Sequence, residues 1–306
     1  MEKKTVLITG GSGTVGKRLS ELLVQKGYEV RHLSRKRNLT SKHKTYLWNL
    51  QENIIEPEAL FGVRFIVHLA GENISAKRWS AKRKQLLIDS RVKTAELLKQ
   101  KLLEQGVHLS AFISASGTGY YNANSGATNL SEDAAANTHF LGNCCVLWES
   151  AADNFSPIAE RVVKLRMPMV LTKEDGVLKK LSPLIRCGIG VAFGSGKQIV
   201  TWVHIDDLCY AFLASIENDS MKGAYNVVAS EQVSNKSFIG AIAKVLKRPF
   251  FLPNAPSFLL RILVGEMSCV LLEGCNISSQ KLMDTGFVFK FDNLDKALKN
   301  VLRSKK

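Results

Sequence analysis

Gly10, Gly13 and Gly16, within T-V-L-I-T-G-G-S-G-T-V-G (residues 5–16), carry the clearest chemical signal in the chain. They follow the apolar run Val6-Leu7-Ile8 and open into a helical pattern with Val15, Leu19, Leu22 and Leu23 on one face. In a strand–turn–helix setting such glycines permit the tight turn, the close approach of backbone to a diphosphate, and helix-on-strand packing. The backbone N–H groups of the run Gly10, Gly11, Ser12, Gly13, Thr14, Val15 and Gly16, at the positive end of a helix, then favour an anionic phosphate. The expected ligand is a dinucleotide.

The next strand end addresses which one. A unit that binds NAD usually ends its second strand in a carboxylate that accepts from the ribose 2′-hydroxyl. Here the strand at 28–33 runs into Ser34-Arg35-Lys36-Arg37. A guanidinium in place of a carboxylate suits a 2′-phosphate through charge-assisted hydrogen bonds. Ser34 and Arg35 are therefore expected to favour NADP(H) over NAD(H). Arg91, mid-helix in D-S-R-V, and Arg166, ending V-V-K-L-R, are both placed to reach phosphate or ribose. Each suits a structural ion pair equally well.

These residues need a frame, and strands and helices alternate from the start of the chain. Strands are expected near 4–9, 28–33, 63–69, 109–115, 160–166 and 224–228. Helices are expected near 14–26, 81–104, 136–153, 205–217, 234–246 and 293–302. The pattern predicts an α/β, Rossmann-type, doubly wound parallel sheet. Short apolar runs such as V-R-F-I-V-H-L and L-S-A-F-I-S-A suit strands buried on both faces. After residue 171 the alternation loosens around Pro183, a glycine cluster at 188–196, and Pro249, Pro253 and Pro256. The expected division is a dinucleotide-binding domain at 1–171, with return elements near 201–230, and a smaller C-terminal substrate lobe at 172–306. Substrate would sit between the two.

Composition excludes several classes. With 306 residues, 45% apolar and 23% charged, the chain can bury a sizeable core. No stretch approaches the ~18–20 uninterrupted apolar residues of a membrane span. The best candidate, Phe258 to Leu272, is broken by Arg261 and Glu266. A strand within a few residues of Met1 leaves no room for a signal peptide, so a cytoplasmic protein is expected. Six cysteines without a C-x-x-C read as buried thiols in a reducing compartment. The net charge of +15 gathers six basic residues and no acid into Arg31–Gln51, and seven against Asp89 alone into Lys77–Lys93. A nucleic-acid or membrane-surface face would have this sign. The scatter of these residues, without interleaved aromatics, favours instead a solvated basic surface around a polyanionic cofactor.

The opening glycine stretch, H-L-A-G-E-N-I (68–74), S-A-S-G-T-G-Y-Y (114–121) and W-V-H-I-D-D-L (202–208) occur in that order. Together they resemble the extended short-chain dehydrogenase/reductase superfamily. R-W-S-A-K-R-K with D-S-R-V (78–92), F-L-G-N-C-C-V-L-W-E (140–149), G-S-G-K-Q (194–198) and K-R-P-F-F-L-P…G-F-V-F-K-F sharpen the match. They resemble an atypical branch, the "epimerase family" of NAD-dependent epimerase/dehydratase-like proteins with its own C-terminal domain. The resemblance spans essentially the whole chain. It implies that Leu69, Ala70 and Gly71 pass the adenosine–diphosphate part of the cofactor along their backbone. It also implies that Ser116 is the active-site serine, and that dimers through a four-helix contact are common.

The superfamily's chemistry rests on Tyr-x-x-x-Lys, in which the lysine ammonium lowers the tyrosine's pKa for proton exchange. No Tyr-x-x-x-Lys occurs here. Aligned through Glu149, Leu141 stands where the tyrosine belongs and Cys145 where the lysine belongs. Tyr120 and Tyr121 follow Ser116 and offer a phenol, and Glu72 offers a carboxylate just past the strand expected at 63–69. Tyr120 and Glu72 are the candidate proton donors or acceptors. His204 is expected to cap the loop into the next helix, with Asp206 and Asp207 satisfying free N–H groups there. The expected function is an NADP(H)-dependent oxidoreductase or epimerase acting on a small polar, nucleotide-sugar-like molecule. The alternative is an NADP(H)-binding sensor or partner-binding protein without turnover.

Overall fold

The computed structural model describes residues 4–37, 42–123 and 129–303. The strands are β1 (Thr5–Thr9), β2 (Glu29–Ser34), β3 (Lys44–Asn49), β4 (Ile54–Ile55), β5 (Val63–His68), β6 (Ala111–Gly117), β7 (Val162–Met167), β8 (Met169–Leu171), β9 (Ile199–Val200), β10 (Trp202–His204), β11 (Gly223–Asn226) and β12 (Val233–Ser234). The helices are α1 (Thr14–Gln25), α2 (Ala81–Glu104), α3 (Phe140–Asp153), α4 (Gly176–Arg186), α5 (Ile205–Glu217), α6 (Asn235–Val245), α7 (Ser257–Val264), α8 (Cys269–Leu272), α9 (Gln280–Met283) and α10 (Leu294–Arg303). Eight strands form one sheet in the order β11-β7-β6-β5-β1-β2-β3-β4, all parallel except the β3–β4 pair.

Both faces of this sheet are covered, which is why β1 reads as an unbroken apolar run. Val6 and Ile8 enter one core with Leu19, Leu23 and Phe212, while Leu7 enters the other with Leu98, Phe112 and Phe155. The chain order reverses between β1 and β5, so the glycine turn after β1 opens at the switch point where such sheets bind ligands. Register sets the site as well. Thr9 pairs with His68 across β1–β5, and Ser116 pairs with Arg166 across β6–β7.

The smaller C-terminal region has its own core, in which Phe238, Ile242, Ala297 and Leu298 pack with Trp202. The paired strands β8–β10 and β9–β12 belong to this end. The sequence expectation missed β3, β4, α4 and the short elements of the C-terminal region, β8, β9, β10, β12, α7, α8 and α9. Only Trp48 of β3 is buried, because that strand lies near the polar edge of the sheet, so its alternation is weak. Helix α4 forms despite Pro183 because Leu178, Ser182 and Ile185 bury one amphipathic stripe. The third helix begins at Phe140 and not at 136. Among the described residues no helix is long and apolar enough to cross a membrane.

Candidate active site

The glycine turn is a steric cradle. Gly10 has φ +71°, and a Cβ there would lie 2.9 Å from the carbonyl carbon and oxygen of Leu69. A Cβ on Gly16 would lie 2.5 Å from the Gly10 carbonyl oxygen, so α1 rests directly on the turn. Gly11 lies over the ring of His32, which hydrogen-bonds Ser20 at 2.8 Å. Gly13 caps α1 with no side-chain acceptor, and the first turn holds no acid. The first N–H groups of α1 have no partner within the helix and are free for an anion. A side chain at Gly10 or Gly16 would collide with backbone, so the turn and the seating of α1 on it require glycine at both positions.

At the end of β2, Ser34 Oγ accepts from the Lys36 N–H at 3.3 Å. The Arg35 side chain is 79% exposed and points to Glu72, with Nη1 3.4 Å from Oε1. Arg83 holds the other oxygen of Glu72 at 3.2 Å. Glu72, expected as a proton donor or acceptor, is therefore clamped between two guanidiniums beside the β2 end.

The loop Leu69-Ala70-Gly71 is fixed from beneath. Thr9 Oγ1 accepts from the Ala70 N–H at 3.1 Å and lies 2.9 Å from His68 Nδ1. His68 Nε2 faces the Arg91 carbonyl, an acceptor, so the proton sits on Nε2 and Thr9 donates to Nδ1. Arg91 is buried and donates to the carbonyls of Glu72 (3.1 Å) and Leu87 (2.8 Å), above the ring of Trp148. A Cβ on Gly71 would lie 3.0 Å from its Cζ. Arg91 thus supports the loop from below.

His68 and His32 are neutral anchors. Burial drives both down from 6.5 to about 4. A histidine with a lowered folded pKa leaves the unfolded chain binding more protons between the two values. Its stabilisation is complete above pH 6.5 and is lost as pH falls toward 4. Urea unfolding is expected to show His68 alone contributing about 2 kcal/mol of destabilisation between pH 7.5 and 5. The fall should be smaller in His68→Asn; an equal fall in both proteins would contradict the assignment.

Ser116 is 1% exposed and donates its proton to Glu149 Oε1 at 2.7 Å. Arg166 takes the same carboxylate in a fork, Nε to Oε1 at 2.7 Å and Nη2 to Oε2 at 2.9 Å. Its Nη1 donates to the Tyr121 hydroxyl and the Glu132 carbonyl, and its Cζ lies 3.5 Å from the Tyr120 ring centroid. Arg166 is thus the hub of an internal network and is not turned toward a phosphate. Tyr121 donates to Asn226 at 2.7 Å, and burial pushes it up to about 12, which removes it as an acid or base. Sequence reasoning used Glu149 only as an anchor for alignment. A lone carboxylate within the apolar turn C-C-V-L-W-E was the available signal.

The two positions of the missing pair lie beside this serine. A Cβ on Gly119 would lie 3.2 Å from Leu141 Cβ, and Cys145 Sγ–H donates to the Gly117 carbonyl at 3.5 Å. Burial pushes the Cys145 thiol up to about 12, so it supplies neither a cation nor a thiolate. His204 caps α5 by accepting from the Asp206 N–H, as expected of a structural residue. Asp206 pairs with Arg18, while Asp207 accepts from the backbone of Lys290 and Phe291.

Residues 6–144 match the NAD dependent epimerase/dehydratase family, and residues 255–301 match a domain of unknown function, DUF1731. An epimerase family protein of Mycobacterium leprae is 32% identical over 297 residues, 97% of this chain and 95% of that one. The chain belongs to the epimerase family. The human epimerase family protein SDR39U1, crystallised with NADPH, superposes with a TM-score of 0.86 at 28% identity, over 98% of this chain and all of that one. MoeE5, in complex with UDP-glucuronic acid and NAD, shares the fold at TM-score 0.76 and 19% identity over 98% of each chain. This epimerase-family protein has the glycine turn after β1 and no Tyr-x-x-x-Lys in its sequence.

Proposed function

We propose that this epimerase-family protein is an NADP(H)-dependent oxidoreductase or epimerase that moves a hydride between the nicotinamide and a carbonyl or carbinol carbon of a small molecule. The observation that carries this reading is the glycine cradle beside a β2 end whose own residues are Ser34 and exposed Arg35, the neighbouring carboxylate, Glu72, coming from the loop after β5 and being paired with Arg35 and Arg83. The human relative's NADPH supports it.

In this reading the backbone N–H groups from Gly10 to Val15 receive the diphosphate, and Gly16 lets α1 approach. Ser34 and Arg35 hold the 2′-phosphate, with Glu72 positioning Arg35. Leu69, Ala70 and Gly71 guide the adenosine–diphosphate part, held in place by His68 and Arg91. Arg166 acts through Glu149 and Ser116 and makes no phosphate contact. Bound cofactor supplies the hydride or its acceptor at the nicotinamide ring. Ser116 gives its proton to Glu149 and so presents an oxygen lone pair, which suits a substrate hydroxyl as donor. Tyr120, held face-on to Arg166, is the phenol proposed to complete the proton path. The division near residue 171 would separate cofactor from substrate residues.

Turnover of 4-deuterated NADPH with a panel of carbonyl compounds tests the reading. Deuterium is expected on the product carbon, with kcat/KM lowered about 100-fold in Ser116→Ala and NADPH affinity unchanged. Binding of NADPH with no transfer to any compound would favour the second reading, a non-catalytic NADP(H) sensor or partner-binding protein. Leu141 and Cys145 at the catalytic positions are the observation on its side.

A further inference from the structure

We propose that α7 and the basic residues beside it form a docking face for an anionic lipid bilayer, on which the protein rests peripherally. Within α7 only Leu260 is buried. Phe258, Leu259, Ile262 and Leu263 fall on the opposite side of the helix, and Arg261 stands at the margin of that arc. Phe258, Ile262 and Leu263 are 65%, 64% and 61% exposed. Apolar side chains of this size, exposed to that degree, stand out from the surface and do not line a groove. Exposed apolar residues scattered singly are ordinary, but a contiguous group rimmed by polar residues marks an interaction face.

The helix is held in this position at both ends. Before it, the Gly194 N–H donates to the Ala255 carbonyl and the Ala255 N–H to the Ala192 carbonyl, both at 2.8 Å. After it, Gly265 lies against the Arg78 guanidinium, and Glu266 binds Lys84 at 2.6 Å. These last contacts set the run K-R-W-S-A-K-R-K (77–84) at the C-terminal end of α7. The run holds five basic residues and no acid. Arg83 is committed to Glu72, while Lys77, Arg78 and Lys82 are exposed. On the other side, Lys247 and Arg248 are exposed just ahead of Phe251, itself exposed. Residues 246–265 contain Lys247, Arg248 and Arg261 and no acid.

The sign of this charge and the chemistry of the arc identify the occupant. Phenylalanine, leucine and isoleucine side chains offer no hydrogen-bond donor or acceptor, whereas a protein interface carries roughly one hydrogen bond per 100–200 Å² to fix its register. A bilayer asks for no register. It takes an apolar helix face into the boundary between headgroups and acyl chains, and binding grows with the apolar area buried and with the attraction of flanking basic residues to anionic lipid. The net charge alone singles out no such face, because the basic residues are spread along the chain. The fold does so, by bringing the 77–84 run against an exposed apolar helix distant from it in sequence.

Co-sedimentation of the full chain with vesicles of phosphatidylcholine, alone or with about one-third phosphatidylglycerol, tests the assignment. Partitioning onto the anionic vesicles is expected to exceed that onto the neutral ones by about tenfold or more. Ile262→Ser/Leu263→Ser should lower it about tenfold with Tm unchanged, since both side chains are exposed. Lys77→Glu/Lys82→Glu should lower it by a similar factor. Phe258→Trp gives an independent reading, its added emission shifting to shorter wavelength on anionic vesicles only. No partitioning, equal partitioning onto both kinds of vesicle, or anionic binding that leaves both the serine pair and the Trp emission unmoved overturns the proposal. So does a dimer in solution that Ile262→Ser/Leu263→Ser dissolves, which would assign the face to a second copy of the chain.

Discussion

Replacing Glu149 by leucine is expected to destabilise the protein by about 3–5 kcal/mol, among the largest single effects in the molecule. The carboxylate is buried, takes a forked pair of hydrogen bonds from Arg166, and accepts the only proton of Ser116. Truncation leaves a guanidinium buried without its counter-charge, and the desolvation it has already undergone is then uncompensated. Two features limit the loss: Arg166 keeps the Tyr121 hydroxyl and the Glu132 carbonyl, and it lies on the face of Tyr120. The double variant Glu149→Leu/Arg166→Met removes both charges and should recover much of the stability, because an apolar pair of similar volume is often neutral. Urea denaturation of the two variants measures this. A loss under 1 kcal/mol in the single variant, or no recovery in the double, would contradict a buried network held by its ion pair.

Gly16→Ala is the second large effect, and its sign runs against helix propensity. Within an ordinary helix the change gains roughly 0.5–1 kcal/mol. Here the new Cβ would sit 2.5 Å from the Gly10 carbonyl oxygen and 2.7 Å from Gly11 Cα, both backbone atoms. Neither can rotate away, so α1 must lift from the turn. The expected outcome is a net loss of about 2 kcal/mol, in the range of overpacked cores. NADPH affinity should drop more than tenfold, because the displaced N–H groups of α1 are those proposed to meet the diphosphate. Gly27→Ala serves as a control. Its φ is +87° with nothing within 4 Å, so it should cost about 1 kcal/mol of strain and leave affinity unchanged. Equal NADPH binding by Gly16→Ala and wild type would show that the cradle is not a nucleotide site.

The sheet was legible because its strands are buried on both faces and its helices carry long amphipathic stripes. The helix over 81–104 and the strand end at Thr9 follow from periodicity and turn chemistry alone, and the ends at Ser34 and His68 fall one residue from the expected 33 and 69. Strand β3 was not legible, since a strand near an exposed edge needs only Trp48 inside. The site divides in the same way. The glycine turn depends on local backbone geometry, which sequence reports directly. The serine's true partner depends on a register that pairs Ser116 with Arg166 and on α3 bringing Glu149 across from 33 residues away. No local pattern around Ser116 contains that information. The same holds for Glu72, whose two arginines come from different elements, the β2 end and the first turn of α2.

The glycine turn and Arg35 are together proposed to select NADP(H). Fluorescence titration of the wild-type protein and Arg35→Ala with NADPH and NADH tests it most directly. The expected result is micromolar or tighter NADPH binding, NADH weaker by at least tenfold, and loss of most of that preference in Arg35→Ala with NADH affinity unchanged. Equal affinity for the two nucleotides in the wild type, or a preference that survives the loss of Arg35, would contradict it.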